Sequence, residues 1–111
     1  MTAEEFVELF AKERDDLLEL YFDPNLQSAV AADIASLNLT SEQNEIARRI
    51  VNGILTDTLY TVLLGLDGEA SIGRTQIAYK LYDEDGNELT GSGLIEACAW
   101  EKFHSIENKI P

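Results

Sequence analysis

TSEQNEIARRIVNGILTDTLYTVLLGLDGEASIGRTQIAYKLY, residues 40–82, is the stretch on which the fold turns. Thr40 followed by Gln43 is a capping box. The hydroxyl can accept from the Gln43 backbone N–H while the Gln43 side chain reaches back to the Thr40 N–H. Ile46, Ala47, Ile50, Val51, Ile54 and Leu55 then recur at helical spacing, opposite Glu45, Arg48, Arg49 and Asn52. From Thr56 the pattern changes: Leu59, Val62, Leu63 and Leu66 continue an apolar face, and Tyr60 and Leu64 add a second. A helix that loses its wet side is covered on most sides. The stretch predicts one long helix over 40–66 whose second half is the deepest element, with Gly53 marking close approach of a neighbouring backbone.

Gly68 and Gly73 bracket the loop 66–73. It reads as a helix-to-strand connection with glycine at the helix cap, or as a loop that takes a partner side chain or lines a cleft. From Arg74 the period drops to two: Ile77, Tyr79 and Leu81 alternate with Gln76, Ala78, Lys80 and Tyr82. Asp83, Glu84, Asp85, Gly86 and Asn87 form a turn signal in which Gly86 supplies a positive φ. Glu88, Leu89 and Thr90 complete a hairpin.

Upstream, Thr2 and Glu5 form a second capping box. The helix after it buries Phe6, Leu9, Phe10, Leu17 and Tyr21 and turns an acidic face to water. Asp23 and Pro24 are a natural cap and first residue for a short helix, on which Leu26, Val30, Ile34 and Leu37 share a face. Downstream, Ser92 caps a last helix carrying Leu94, Ile95, Cys98, Trp100 and Phe103, apolar on most sides and expected to be largely buried. The tail 105–111 is expected to fray, with Ile106 as its one packing residue. The architecture predicted is α+β: three N-terminal helices, a β-hairpin and a C-terminal helix packed around the long central helix, in one domain spanning 1–111.

The chain holds 21 acidic and 8 basic residues, a net charge of −13. Nucleic acid and anionic membranes are bound by Lys and Arg that replace counterions, so both are disfavoured partners. The charge either serves solubility or steers a basic protein partner. In size and charge the chain is similar to small acidic immunity and antitoxin proteins, which neutralise basic toxins. That likeness is one of bulk properties and not of any motif. A single cysteine, Cys98, suits a reducing compartment. With neither a signal-peptide pattern nor a membrane-length apolar run, a cytoplasmic location is expected.

Catalytic arrangements are thin. With Gly86 as the sixth residue of a calcium loop, Leu81 and Ser92 fall where acids are required. Cys98 and His104 are not helical neighbours, and together they are too few for a zinc site. The glycines at 65, 68 and 73 lack the Lys-Ser/Thr of a phosphate loop. No catalytic residue, metal or cofactor is therefore assigned. Asp57, one turn from Thr61, reads as a solvent-facing or Thr-bonded acid.

Three functions remain. The first is a non-catalytic interaction module that presents Glu4, Glu8, Asp15, Asp16 and Glu19, together with Asp83, Glu84, Asp85 and Glu88, to a basic partner. The second is a small-ligand-binding or hydrolytic cleft built from Asp57, Tyr60, Tyr79 and Tyr82. The third is a homodimer formed through the hairpin edge or the last helix.

Overall fold

The computed structural model describes residues 1–104; the expectation for the tail 105–111 and Ile106 lies outside the described residues. In chain order the elements are α1 (Ala3–Phe22), a 3-10 turn (Pro24–Leu26), α2 (Ala29–Ser36), α3 (Ser41–Leu66) and α4 (Leu94–His104). Both capping boxes form. Thr2 Oγ1 accepts from the Glu5 N–H at 3.1 Å and Thr40 Oγ1 from the Gln43 N–H at 3.1 Å, with each partner side chain bonding back at 3.0 Å. Asp23 caps only the 3-10 turn, and Ser28 caps α2, so the second helix starts later than the Asp-Pro signal suggested.

The core lies where α1, the second half of α3 and α4 meet: Ala3, Val7, Leu63, Ile95, Ala99 and Phe103. Leu63 and Ile95 are fully buried. Gly65 lets the Ile72 side chain lie against α3, since a Cβ there would sit 2.3 Å from Ile72 Cγ1. Away from this end the molecule splays. Of the α2 residues only Ala31 is buried, and α2 packs on α1 and the 3-10 turn rather than on α3. The Cα radius of gyration is 16.2 Å, against about 13 Å for a compact chain of this length.

Two expectations are corrected. The first is the mixed α+β class: among the described residues all regular structure is helical, and no β-strand forms. Only two isolated bridges are present, Ile72–Thr75 and Tyr82–Glu88. The turn itself is there, with Gly86 at φ 86 and the Asp83 N–H donating to the Asn87 carbonyl at 3.0 Å. The arms are not strands, for local reasons. Arg74, the expected first strand residue, has φ 69, a left-handed conformation that ends extended pairing. Nearer the turn, the Thr90 hydroxyl takes the place of a ladder bond: it accepts from the Leu81 N–H at 3.0 Å and donates to the Tyr79 carbonyl at 2.7 Å. The intervening arm is tied instead by the Gln76 side chain, which donates to the Gly68 carbonyl at 3.0 Å.

The second correction concerns burial. In α3 only Leu63 and Gly65, in its last turn, are buried, and Asp57, Thr58 and Thr61 keep a wet side on the half expected to be covered; Ile46, Ile50 and Ile54 are more than two-fifths exposed, and Ala47, Val51 and Leu55 are half-buried. Among the described residues nothing lies within 4 Å of a Cβ placed on Gly53, so no neighbouring backbone of theirs approaches it. Leu9, Leu26, Val30, Leu37, Leu94 and Trp100 are exposed as well.

Candidate functional site

The acidic residues of α1 follow from its helical period, which turns Glu4, Glu8, Glu13, Asp15, Asp16 and Glu19 outward. Cations are threaded among them. Lys12 pairs with Asp16 at 2.7 Å, Arg14 with Asp15 at 3.1 Å, Lys102 of α4 with Glu8 at 3.5 Å, and Arg48 of α3 with Glu19. Such exposed pairs add little stability, but they mute the field of the four acids they touch. Arg14 also lies over the Phe103 ring, 5.0 Å from its centroid. Arg48 does the same over Phe22 at 5.7 Å. Both therefore act as packing residues as well as charges. Glu4 and Glu13 make no ion pair among the described residues.

The acidic turn divides into one inward and three outward groups. Asp83 accepts from the backbone N–H groups of Asp85 and Asn87, each at 2.9 Å, and from the Asn87 side chain at 2.9 Å. Its other contact is the amine of Met1 at 2.7 Å. That amine, then the Asn87 bonds, hold the Asp83 carboxyl far below the usual carboxylate range. Asp83 is thus the organiser of the turn. Glu84, Asp85 and Glu88 are exposed and, like Glu4, without an ion pair among the described residues. The Met1–Asp83 contact spans 82 positions of sequence and sets the start of α1 beside the turn. Two acidic segments from opposite parts of the chain thereby share one end of the molecule.

The four residues of the suggested cleft are not gathered together. Asp57 is exposed on α3 and shares a shallow depression with Arg14, Asn52, Thr56, Phe103 and His104. Tyr60 packs edge-on against His104, ring centroids 4.3 Å apart, and burial, helped by the Glu96 charge, pushes its phenol up. Tyr79 and Tyr82 belong to the irregular segment. Ala78, next to Tyr79, lies against Gly68, beyond the end of α3 and about 14 Å along the axis from Asp57 at 1.5 Å per residue. Burial also pushes the Cys98 thiol up, which keeps it protonated and a poor nucleophile at neutral pH. Among the described residues no group of three or more His, Cys, Asp or Glu is placed to hold a metal ion, and no helix is long and apolar enough to cross a membrane.

One residue that pattern reading passed over is Asp67, which is 7% exposed. Its Oδ1 accepts from the Gly91 N–H at 2.9 Å and its Oδ2 from the Glu96 N–H at 3.3 Å. It caps α4 from the far end of α3, while the expected cap, Ser92, accepts only from the Leu94 N–H at 3.3 Å. The loop 66–73 thus clamps α3 to α4. Glu96, in the first turn of α4, has its carboxyl raised by desolvation, then by the charge and hydrogen bond of Glu69, and by Asp67.

Compared with protein-family models, curated proteins and solved structures, the chain matches none of them.

Proposed function

We propose that the protein is a non-catalytic interaction module of the inhibitor or immunity type, which binds a basic protein through its acidic end. The observation that supports this reading is the ion pair of Met1 with Asp83, which brings the acidic turn, with its exposed Glu84, Asp85 and Glu88, to the start of the acidic helix α1. Exposed carboxylates held on a helix and a bonded turn lose little freedom on binding, which favours an electrostatic contact. A net charge of −13 adds long-range steering, worth roughly 10- to 1,000-fold in association rate at low salt. Glu8, Asp15, Asp16 and Glu19 are secondary contributors, since each already has a cation; Asp83 contributes through the shape of the turn.

The test has two stages: capture of a basic protein at low ionic strength, then calorimetry with the purified pair. Affinity falls steeply between about 0.05 and 0.5 M salt. A Glu4→Lys, Glu84→Lys, Asp85→Lys variant weakens it by roughly 10- to 100-fold, mainly through the association rate. An affinity indifferent to salt, or to this triple reversal, overturns the proposal.

A further inference from the structure

α1 and α3 run antiparallel, with Glu19 beside Arg48 and Arg14 beside Thr56, and a groove follows their seam. Phe6, Leu9, Phe10 and Glu13 of α1 line it together with Leu59 of α3. The Phe6 and Phe10 rings lie 4.9 Å apart, and Leu9 is 51% exposed. Residues four apart on a helix are neighbours, so Glu5 and Glu13 flank Leu9 one turn away on either side. Both are exposed, and neither makes an ion pair among the described residues. Lys12, adjacent to Glu13, is held by Asp16 at 2.7 Å. The groove is therefore an apolar seat with a carboxylate before it and another after it.

Negative charge continues past the Glu5 end. The Met1 amine, raised first by its hydrogen bond to Asp83, also feels the charges of Glu5 and Asp85, so the acidic turn adjoins the groove. Apolar seat and flanking acids together select an occupant that is both apolar and basic. Its backbone conformation follows from the walls. Both are helices whose amides and carbonyls bond within the helix, so an extended segment finds no edge to pair with, whereas a helix arrives with its own bonds made. Glu5 and Glu13 lie about 12 Å apart along the axis at 1.5 Å per residue. A helix laid along α1 matches that span with cations about eight residues apart and a bulky apolar residue between them.

We propose that the basic partner enters this groove with an amphipathic helix, its apolar residue seated against Leu9, Phe6 and Phe10 and its cations facing Glu5 and Glu13. This contact presupposes the interaction-module reading above and adds to it an apolar anchor.

The probe is an amidated peptide of about 18 residues with leucines on one face and lysines on the flanks, long enough to lie along the seam. Its control has the same composition with the leucines scattered around the helix. Both are titrated into the full chain and followed by amide NMR and calorimetry. The patterned peptide shifts the signals of Phe6, Leu9, Phe10 and Leu59 and binds at least about tenfold more tightly than its control. Leu9→Ser, whose folding is checked by circular dichroism, weakens it by about tenfold, and Glu13→Lys by about threefold to tenfold. Glu5 is left in place, since its side chain also closes the capping box at Thr2. At about 0.5 M salt the Leu9→Ser loss persists, because apolar contact is not screened, while the Glu13→Lys loss shrinks. Equal binding of the two peptides, or binding that Leu9→Ser leaves unchanged, overturns the groove. Where that binding still falls with salt and with the triple reversal at Glu4, Glu84 and Asp85, the acidic end stands without it. Binding that needs Leu9 but ignores the triple reversal supports the groove and counts against the acidic end.

Discussion

Replacing Asp67 by alanine should loosen the whole C-terminal part of the molecule. The carboxylate is 7% exposed and accepts two backbone N–H groups, from Gly91 at 2.9 Å and Glu96 at 3.3 Å. A hydrogen bond to a charged group contributes about 1.5–3 kcal/mol, and a helix cap about 0.5–2 kcal/mol. The shorter bond belongs to the first class and the longer to the second. The two share one carboxylate and are not additive, so the expected loss for Asp67→Ala is about 2–4 kcal/mol. Asp67→Asn keeps one acceptor oxygen and loses the charge at the helix N-terminus, at a cost of about 1–2 kcal/mol. At roughly 4 °C per kcal/mol for a chain of this size, alanine lowers Tm by about 8–16 °C and asparagine by about half that. Urea titration gives the free energies. Two-dimensional NMR of Glu96 adds a second readout: its carboxyl is raised first by desolvation and then by Glu69, so removing the smaller Asp67 contribution lowers it only slightly. An alanine variant within about 0.5 kcal/mol of wild type, or no more destabilised than the asparagine variant, refutes the clamp.

Three further outcomes follow from the packing and the charges. Leu63→Ala, at a fully buried site, costs about 2–5 kcal/mol, whereas Ile54→Ala, 58% exposed, stays within about 0.5 kcal/mol when measured by urea titration. The two helical glycines respond in opposite directions to alanine: Gly53→Ala, with nothing within 4 Å, stabilises by about 1 kcal/mol. Gly65→Ala places a Cβ 2.3 Å from Ile72 Cγ1, and the displaced Ile72 gives a lower Tm. The Met1–Asp83 contact confers stability only within a pH window. The amine's pKa is raised above 8.0 first by its hydrogen bond to Asp83, so its share is complete below pH 8.0 and lost as pH rises through the folded value. The carboxyl is depressed below 3.8 first by that same amine, so its share is present above pH 3.8 and lost as pH falls through the folded value. Thermal melts of wild type and Asp83→Asn across pH should differ most between these limits, and a constant difference at all pH values contradicts the assignment.

What could be read in the chain was local. The caps at Thr2 and Thr40 involve partners three residues away, and the turn at Gly86 is set by its own dihedral, so pattern rules find both. The hairpin arms misled because alternation describes which side chains share a face and not whether a second backbone is present to pair. The left-handed Arg74 and the Thr90 hydroxyl decide that question, and neither has a periodic signature. Ile46, Ile50 and Ile54 are a genuine apolar stripe, yet periodicity cannot say whether a neighbour covers it, and α2 goes elsewhere. Of the candidate site residues, outward carboxylates followed from helical phase. The Lys12–Asp16 pair is one turn of α1 and equally local, but the inward turn of Asp83 and the pairing of Glu8 and Glu19 depend on where α1, α3 and α4 come to rest. Asp67 was invisible because its bonded amides lie 24 and 29 positions away.

That reach has a topological consequence. With Asp67 fastened to Gly91, the residues between them make a lasso whose neck is knotted by the protein itself. Closing such a ring grows costlier only logarithmically with its contour, by about 0.6 kcal/mol per doubling. Extra residues spliced at the exposed apex Gly73–Arg74, a peptide tag or a reporter loop, would therefore leave the helices above the neck almost undisturbed.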